Sequence, residues 1–176
     1  MRLSYGLKGF TIVELLIVIV VIGILAAITI VAYGGVTSKA NDAAVQSDLK
    51  NFAQKFLAYQ TENGDLPTSS VVTNGTLELK ASKAAYSLGN ANGRNFGICA
   101  VTSPGTQRFG IVGLSASNAR FIYTSTEGLK KITTPFPANS ADLCSTLGMS
   151  NSETGVWTTW GAESGQSGGW YSWVKS

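Results

Sequence analysis

The chain has 176 residues, with 13 Lys+Arg, 10 Asp+Glu and no His. A formal charge of +3 is too small to mark a nucleic-acid footprint by itself, and without imidazole the commonest general base and metal ligand is missing. The length accommodates one modest core plus an appendage rather than two full domains.

Arg2 and Lys8 precede an apolar run, KGFTIVELLIVIVVIGILAAITIVAY over 8–33, in which Glu14 is the only charge after Lys8. About 20 apolar residues cross a bilayer core, so the run is long enough to span one. A cleaved secretory signal has about 7–15 apolar residues before a small-residue site. Here Ala26-Ala27 lies inside the run, so that reading is weak. The basic leader belongs on the cytoplasmic side and the chain after Tyr33 outside. Without Arg2 and Lys8, 11 Lys+Arg face 10 acids and the remainder is nearly neutral.

The helical pattern continues past the apolar run. Val45, Leu49, Phe52, Phe56 and Tyr59 recur at spacings of four and three, one face of an amphipathic helix. Asp48, Lys50, Asn51, Gln54 and Lys55 are placed on the other faces. Gly64 and Pro67 end the pattern. One helix is predicted from about Phe10 to Asn63, about 80 Å long at 1.5 Å per residue. Its stretch 10–33 is apolar all round, 34–63 carries the stripe, and Gly34-Gly35 is the expected bend.

Residues 64–176 read as the head. Asp65 to Leu88 is a polar connection with room for one short element. NFGICAV (95–101), RFGIVGL (108–114) and ARFIYTS (119–125) read as strands, separated by SPGTQ and SASN and followed by TEG. They predict an antiparallel meander whose apolar face lies on the Val45–Tyr59 stripe. The expected fold class is α+β, with two layers. TTPFPANSADLCSTLG reads as loop plus a short turn. GVWTTWG (155–161) and GWYSWVKS (169–176) are expected to form a final hairpin around Glu163–Gly168.

Cys99 and Cys144 belong to no CxxC pair, which argues against zinc. Both fall in the part placed outside, where a disulfide is the expected state. Closing that loop stabilises by about 4 kcal/mol if strain is low. Two separate buried thiols are the alternative. Asp65 and Asp142 are isolated, so no calcium site, other metal or cofactor is expected. No nucleophile–base pair or carboxylate pair is visible, so no catalytic residue is assigned. Trp157, Trp160, Trp170, Tyr171 and Trp173 crowd the end of the chain, either as an adhesive surface or as packing, the reading preferred. Lys80, Lys83, Arg94, Arg108, Arg120 and Lys130-Lys131 would suit weak DNA binding, but scattered solvated charges are the preferred account.

Lys8-Gly9-Phe10-Thr11-Ile12-Val13-Glu14-Leu15 resembles the processing and assembly motif of type IV pilins and pseudopilins: a short basic leader ending in Gly, then Phe, then Glu four residues on, leading into an apolar helix. The resemblance implies that 1–9 is a leader cut off between Gly9 and Phe10 by a prepilin peptidase. Phe10 then becomes the N-terminus and is methylated. Subunits leave the cytoplasmic membrane and stack as a homo-oligomeric helical filament, driven by an assembly ATPase with inner-membrane platform proteins. The filament would serve adhesion, motility or DNA uptake, with surface receptors or DNA as further partners. Thr11 also fits the family, where it helps position the N-terminus; the alternative is a hydroxyl bonded to its own helix. Many relatives carry a proline within the apolar helix. This chain has none between Met1 and Asp65, and Gly23 and Thr29 leave room for some loosening near 23–31. A pseudopilin of a type II secretion or competence system shares the motif, and a plain membrane-anchored binding module is a further alternative.

Physical chemistry gives Glu14 a purpose in that setting. A charge central in lipid costs on the order of 3 kcal/mol, less near the ends. Cleavage would create an α-ammonium at Phe10, which can pair with Glu14 of a neighbouring subunit. A buried pair of this kind sets register more surely than it adds stability, because an unpaired partner is strongly penalised. The bland alternative is a carboxylate snorkelling at the membrane edge.

Overall fold

The computed structural model describes residues 9–87, 93–162 and 170–176, apart from the side chains at 31 and 32. The chain divides into two units, Met1–Thr37 and Ser38–Ser176. Helix α1, Ile12–Asn63, supplies residues to both.

In the first unit every described side chain from Ile12 to Ile30 is exposed. The stretch is long and apolar enough to cross a membrane. It stays helical through Gly23, Thr29 and Gly34-Gly35. The Thr29 hydroxyl donates to the Ala26 carbonyl at 2.9 Å, and that of Thr37 to the Tyr33 carbonyl at 3.1 Å. These hydroxyls are satisfied by their own helix, as lipid would require of them.

In the second unit a five-stranded antiparallel sheet faces the rest of α1. Its strands are β1 (Phe96–Val101), β2 (Arg108–Leu114), β3 (Arg120–Thr124), β4 (Gly128–Ile132) and β5 (Val156–Trp160), in the order β4-β3-β2-β1-β5. The first four form a meander, and β5 returns to pair with β1. Val45, Leu49, Phe52 and Phe56 are buried against Phe96, Ile98, Phe109 and Ile111. Ring centroids lie 5.0 Å apart for Phe52–Phe96 and 4.9 Å for Phe56–Phe109. Tyr59, at the end of the stripe, is only half-buried. Gly64, at φ +81, stops α1 as a left-handed cap, and its N–H reaches the Gln60 carbonyl at 2.8 Å.

The sheet is covered on both faces, one layer more than the sequence suggested. Cys99, Val101, Val112 and Ile122 point away from α1 into a second, smaller core with Leu143, Leu147 and Met149. Its lid is a short helix, α3 (Ser140–Thr146), preceded by α2 (Ser69–Thr73) earlier in the chain. Asn139 caps α3, its side chain accepting from the Asp142 N–H at 2.9 Å. Burial on both faces explains the unbroken apolar runs of β1 and β2.

Three expectations need correction. The chain folds a fourth meander strand at Gly128–Ile132, where the Lys130-Lys131 pair had pointed to surface charge alone; lysines on an exposed edge strand discourage further pairing. The final hairpin forms only at its base, where the Tyr171 N–H donates to the Gly161 carbonyl at 2.9 Å, and its expected ladder along 156–160 is absent among the described residues. β5 pairs with β1, while the last segment makes isolated bridges, Ala162 to Trp170 and Lys80 to Lys175. The expected turn lies outside the described residues. Asp48 is not on a solvent face of α1 but buried beneath the loop at Ser82.

Candidate assembly site

The head of α1 is built by a reciprocal cap. Glu14 N–H donates to the Thr11 hydroxyl at 3.2 Å, while the Thr11 N–H and hydroxyl both donate to Glu14 Oε2 at 2.8 Å. This is a capping box, two orphan donors of the first turn satisfied by one Thr-x-x-Glu pattern. The pattern stands in the sequence at 11–14, yet the reading of Glu14 as a neighbour's partner or a snorkelling carboxylate does not include this cap. Thr11 and Glu14 are thus brought together, whereas Phe10 is 90 % exposed. Gly9 and Phe10 lie outside the helix, and a Cβ built at Gly9 would meet nothing within 4 Å. The rest of the leader lies outside the described residues.

Beyond the cap, α1 presents Leu15, Leu16, Ile17, Val18, Ile19 and Val20, each about half or more exposed. Burying such a surface stabilises by roughly 25 cal/mol per Å², whether lipid or another helix covers it. The carboxylate that precedes them, Glu14, is already hydrogen-bonded within its own turn.

The head is closed by the Cys99–Cys144 disulfide, with Cα atoms 5.4 Å apart. It ties β1 to α3, and both cysteines are fully buried. The aromatic cluster is packing. Trp157 lies 6.2 Å from Phe56, Trp160 6.3 Å from Phe136, Trp170 5.3 Å from Tyr86 and Trp173 6.2 Å from Phe96, all between ring centroids. The cations are scattered. Arg108 pairs with Glu153 at 2.5 Å and Lys130 with Glu127 at 2.9 Å. Arg94 lies over Trp160, and Lys83 over Trp170. Among the described residues no three Cys, Asp or Glu side chains group as a metal site would need.

A capped apolar helix joined to a disulfide-closed α+β head describes a subunit that meets its own kind or a membrane through the helix and displays the head. Comparison with known proteins gives that class its family. The prokaryotic N-terminal methylation motif matches residues 8–30. The chain is 36 % identical over 104 residues to the type IV wide pilus major component PilA4 of Thermus thermophilus, a match covering 58 % of this chain and 79 % of that protein. The chain belongs to the type IV pilin family, and as such it is a pilus subunit and a structural protein.

Proposed function

We propose that the chain is a prepilin, cut between Gly9 and Phe10, whose mature subunits polymerise through α1 with Glu14 paired to the new Phe10 ammonium of a neighbour. The observation that carries this is the exposed apolar surface of Ile12–Ile30 with its single carboxylate at the head. In the precursor, Thr11 keeps that carboxylate hydrogen-bonded while lipid surrounds the helix. In the filament, the neighbour's ammonium supplies the counter-charge that the precursor lacks. Prepilin peptidase, an assembly ATPase and platform proteins in the membrane supply the processing and the work. The head stands outside the cell, in keeping with the two basic leader residues and with a disulfide.

Likeness to a major component of a wide pilus favours a surface pilus over the short filament of a secretion or competence system, the second reading. N-terminal sequencing and intact mass of protein sheared from cells test the proposal. A chain starting at Phe10 and heavier by about 14 Da at its amine supports it. A chain starting at Met1 and confined to membranes would make this an anchored protein instead.

A further inference from the structure

An open helical filament made from one kind of chain joins two different patches of that chain. The head unit carries two patches of opposite sign, at opposite ends of the α1 segment 38–63. Packing fixes the direction. Gly113 lies against Val45, whereas Phe109 lies against Phe56, so β2 runs from the Asn63 end toward the Ser38 end. Arg120 opens β3 opposite Ile132, which closes β4, so both belong to the Ser38 end.

At that end Arg120 and Lys131 line an open cavity of about 610 Å³ with Ser38, Asp42, Asn118 and Thr133. Lys39 is exposed next to Ser38. The carboxylate present, Asp42, accepts from the Ser117 hydroxyl. Among the described residues Arg120 and Lys131 have no acidic partner. Arg120 Nε is buried without an acceptor, and the Lys131 ammonium rests 6.0 Å from the Phe121 ring centroid. A buried N–H without an acceptor is costly, so Arg120 is incompletely partnered within its own subunit.

At the Asn63 end the sign reverses. Glu62, in the last turn of α1, Asp65 and Glu78 are all exposed. Of the nearby cations, Lys55 is turned into the main chain, its Nζ donating to the Leu77 and Glu78 carbonyls at 2.9 and 3.0 Å, while Lys80 is exposed two residues after Glu78. Glu62 lines a cavity of about 290 Å³ together with Lys55, Tyr59 and Thr76.

We propose that Arg120 and Lys131 of one subunit hold the Glu62 carboxylate of the next subunit along the filament. The proposal rests on the filament reading above and adds to it a head-to-head contact. Apolar helices slide past one another at little cost, because their burial is non-directional. An ion pair at fixed heights on two heads adds a second constraint on axial register to that of Glu14, a role that complementary charge serves well.

Charge reversal tests it. Arg120→Glu, Lys131→Glu and Glu62→Lys, each alone, should lower the sheared filament yield by about tenfold. Lys131→Glu with Glu62→Lys should restore most of it. Lys131 is exposed, so this pair avoids any folding defect from the partly buried Arg120. Non-reducing mass and thermal melting confirm that each head is intact. Unchanged yields in the single variants overturn the contact, and so do losses that the swap does not rescue. If these variants instead lose adsorption to anionic phospholipid vesicles while filaments persist, the basic patch serves a membrane and the contact is likewise overturned. A wild-type chain uncleaved and without filaments removes the pilin reading and this contact together; wild-type filaments indifferent to charge reversal remove the contact alone.

Discussion

The Asp48 carboxylate accepts the Ser82 backbone N–H at 2.7 Å and the Ser82 hydroxyl at 3.3 Å, so one buried acid on α1 holds the loop that follows Lys80. The Tyr86 hydroxyl is buried and feels the same charge, but completes no hydrogen bond of ordinary geometry with it. Burial raises the Asp48 pKa, and the Ser82 bonds pull it back only in part. Burial, then the Asp48 charge, push Tyr86 well above the usual tyrosine range.

A carboxyl with a raised pKa binds its proton more tightly folded than unfolded. Its contribution to stability is therefore fully present below the unfolded value of about 3.9 and is lost as pH rises through the folded value. Urea midpoints between pH 4 and 7 should carry this downward component in the wild type, and Asp48→Asn should remove it. An identical slope in both proteins would mean that Asp48 is not the group responsible.

At Gly113, β2 packs tightly against α1. A Cβ there would meet Val45 Cγ1 at 2.9 Å, with Leu49 and Tyr86 at 3.4 Å. Gly113→Ala should cost about 1–3 kcal/mol through overpacking, with Val45→Ala in the same chain recovering part of it. Chemical unfolding of both variants measures the loss and the recovery.

Removing the disulfide by Cys99→Ala with Cys144→Ala releases a separation of 45 residues. Loss of about 4 kcal/mol is expected from the unfolded chain's added freedom, more if the second core opens around α3. Intact mass should rise by two hydrogens when the wild type is reduced after unfolding, and the unfolding midpoints of the two proteins give the energy.

Glu14→Ala should leave cleavage at Gly9–Phe10 largely intact and abolish filaments, because the neighbour's ammonium then has no counter-charge in an apolar core. Abundant normal filaments from that variant would end the register role. Thr11→Val keeps the carboxylate but removes the hydroxyl from the cap, at about 1 kcal/mol for an N-cap. Filaments should persist at reduced yield, read by shearing and blotting.

Local pattern alone determines much of this protein. The span, its lone carboxylate, the α1 stripe at Val45, Leu49, Phe52 and Phe56, and the first three strands are all written in periodicity and turn residues, because each depends on neighbours a few positions away. Even the Thr11–Glu14 cap is local. What only the tertiary structure decides involves residues brought together from far along the chain. Asp48 is polar and one step off the stripe, and it is buried because Ser82, 34 residues later, folds over it. Gly128–Ile132 becomes a strand because β3 offers it a ladder, despite two lysines that local pattern assigns to solvent. The last segment meets the end of β5 only at Gly161–Ala162, and Trp173 is packed beside Phe96, a residue 77 positions earlier. Pattern reports which face of a segment avoids water, while the identity of what covers that face is a property of the whole fold.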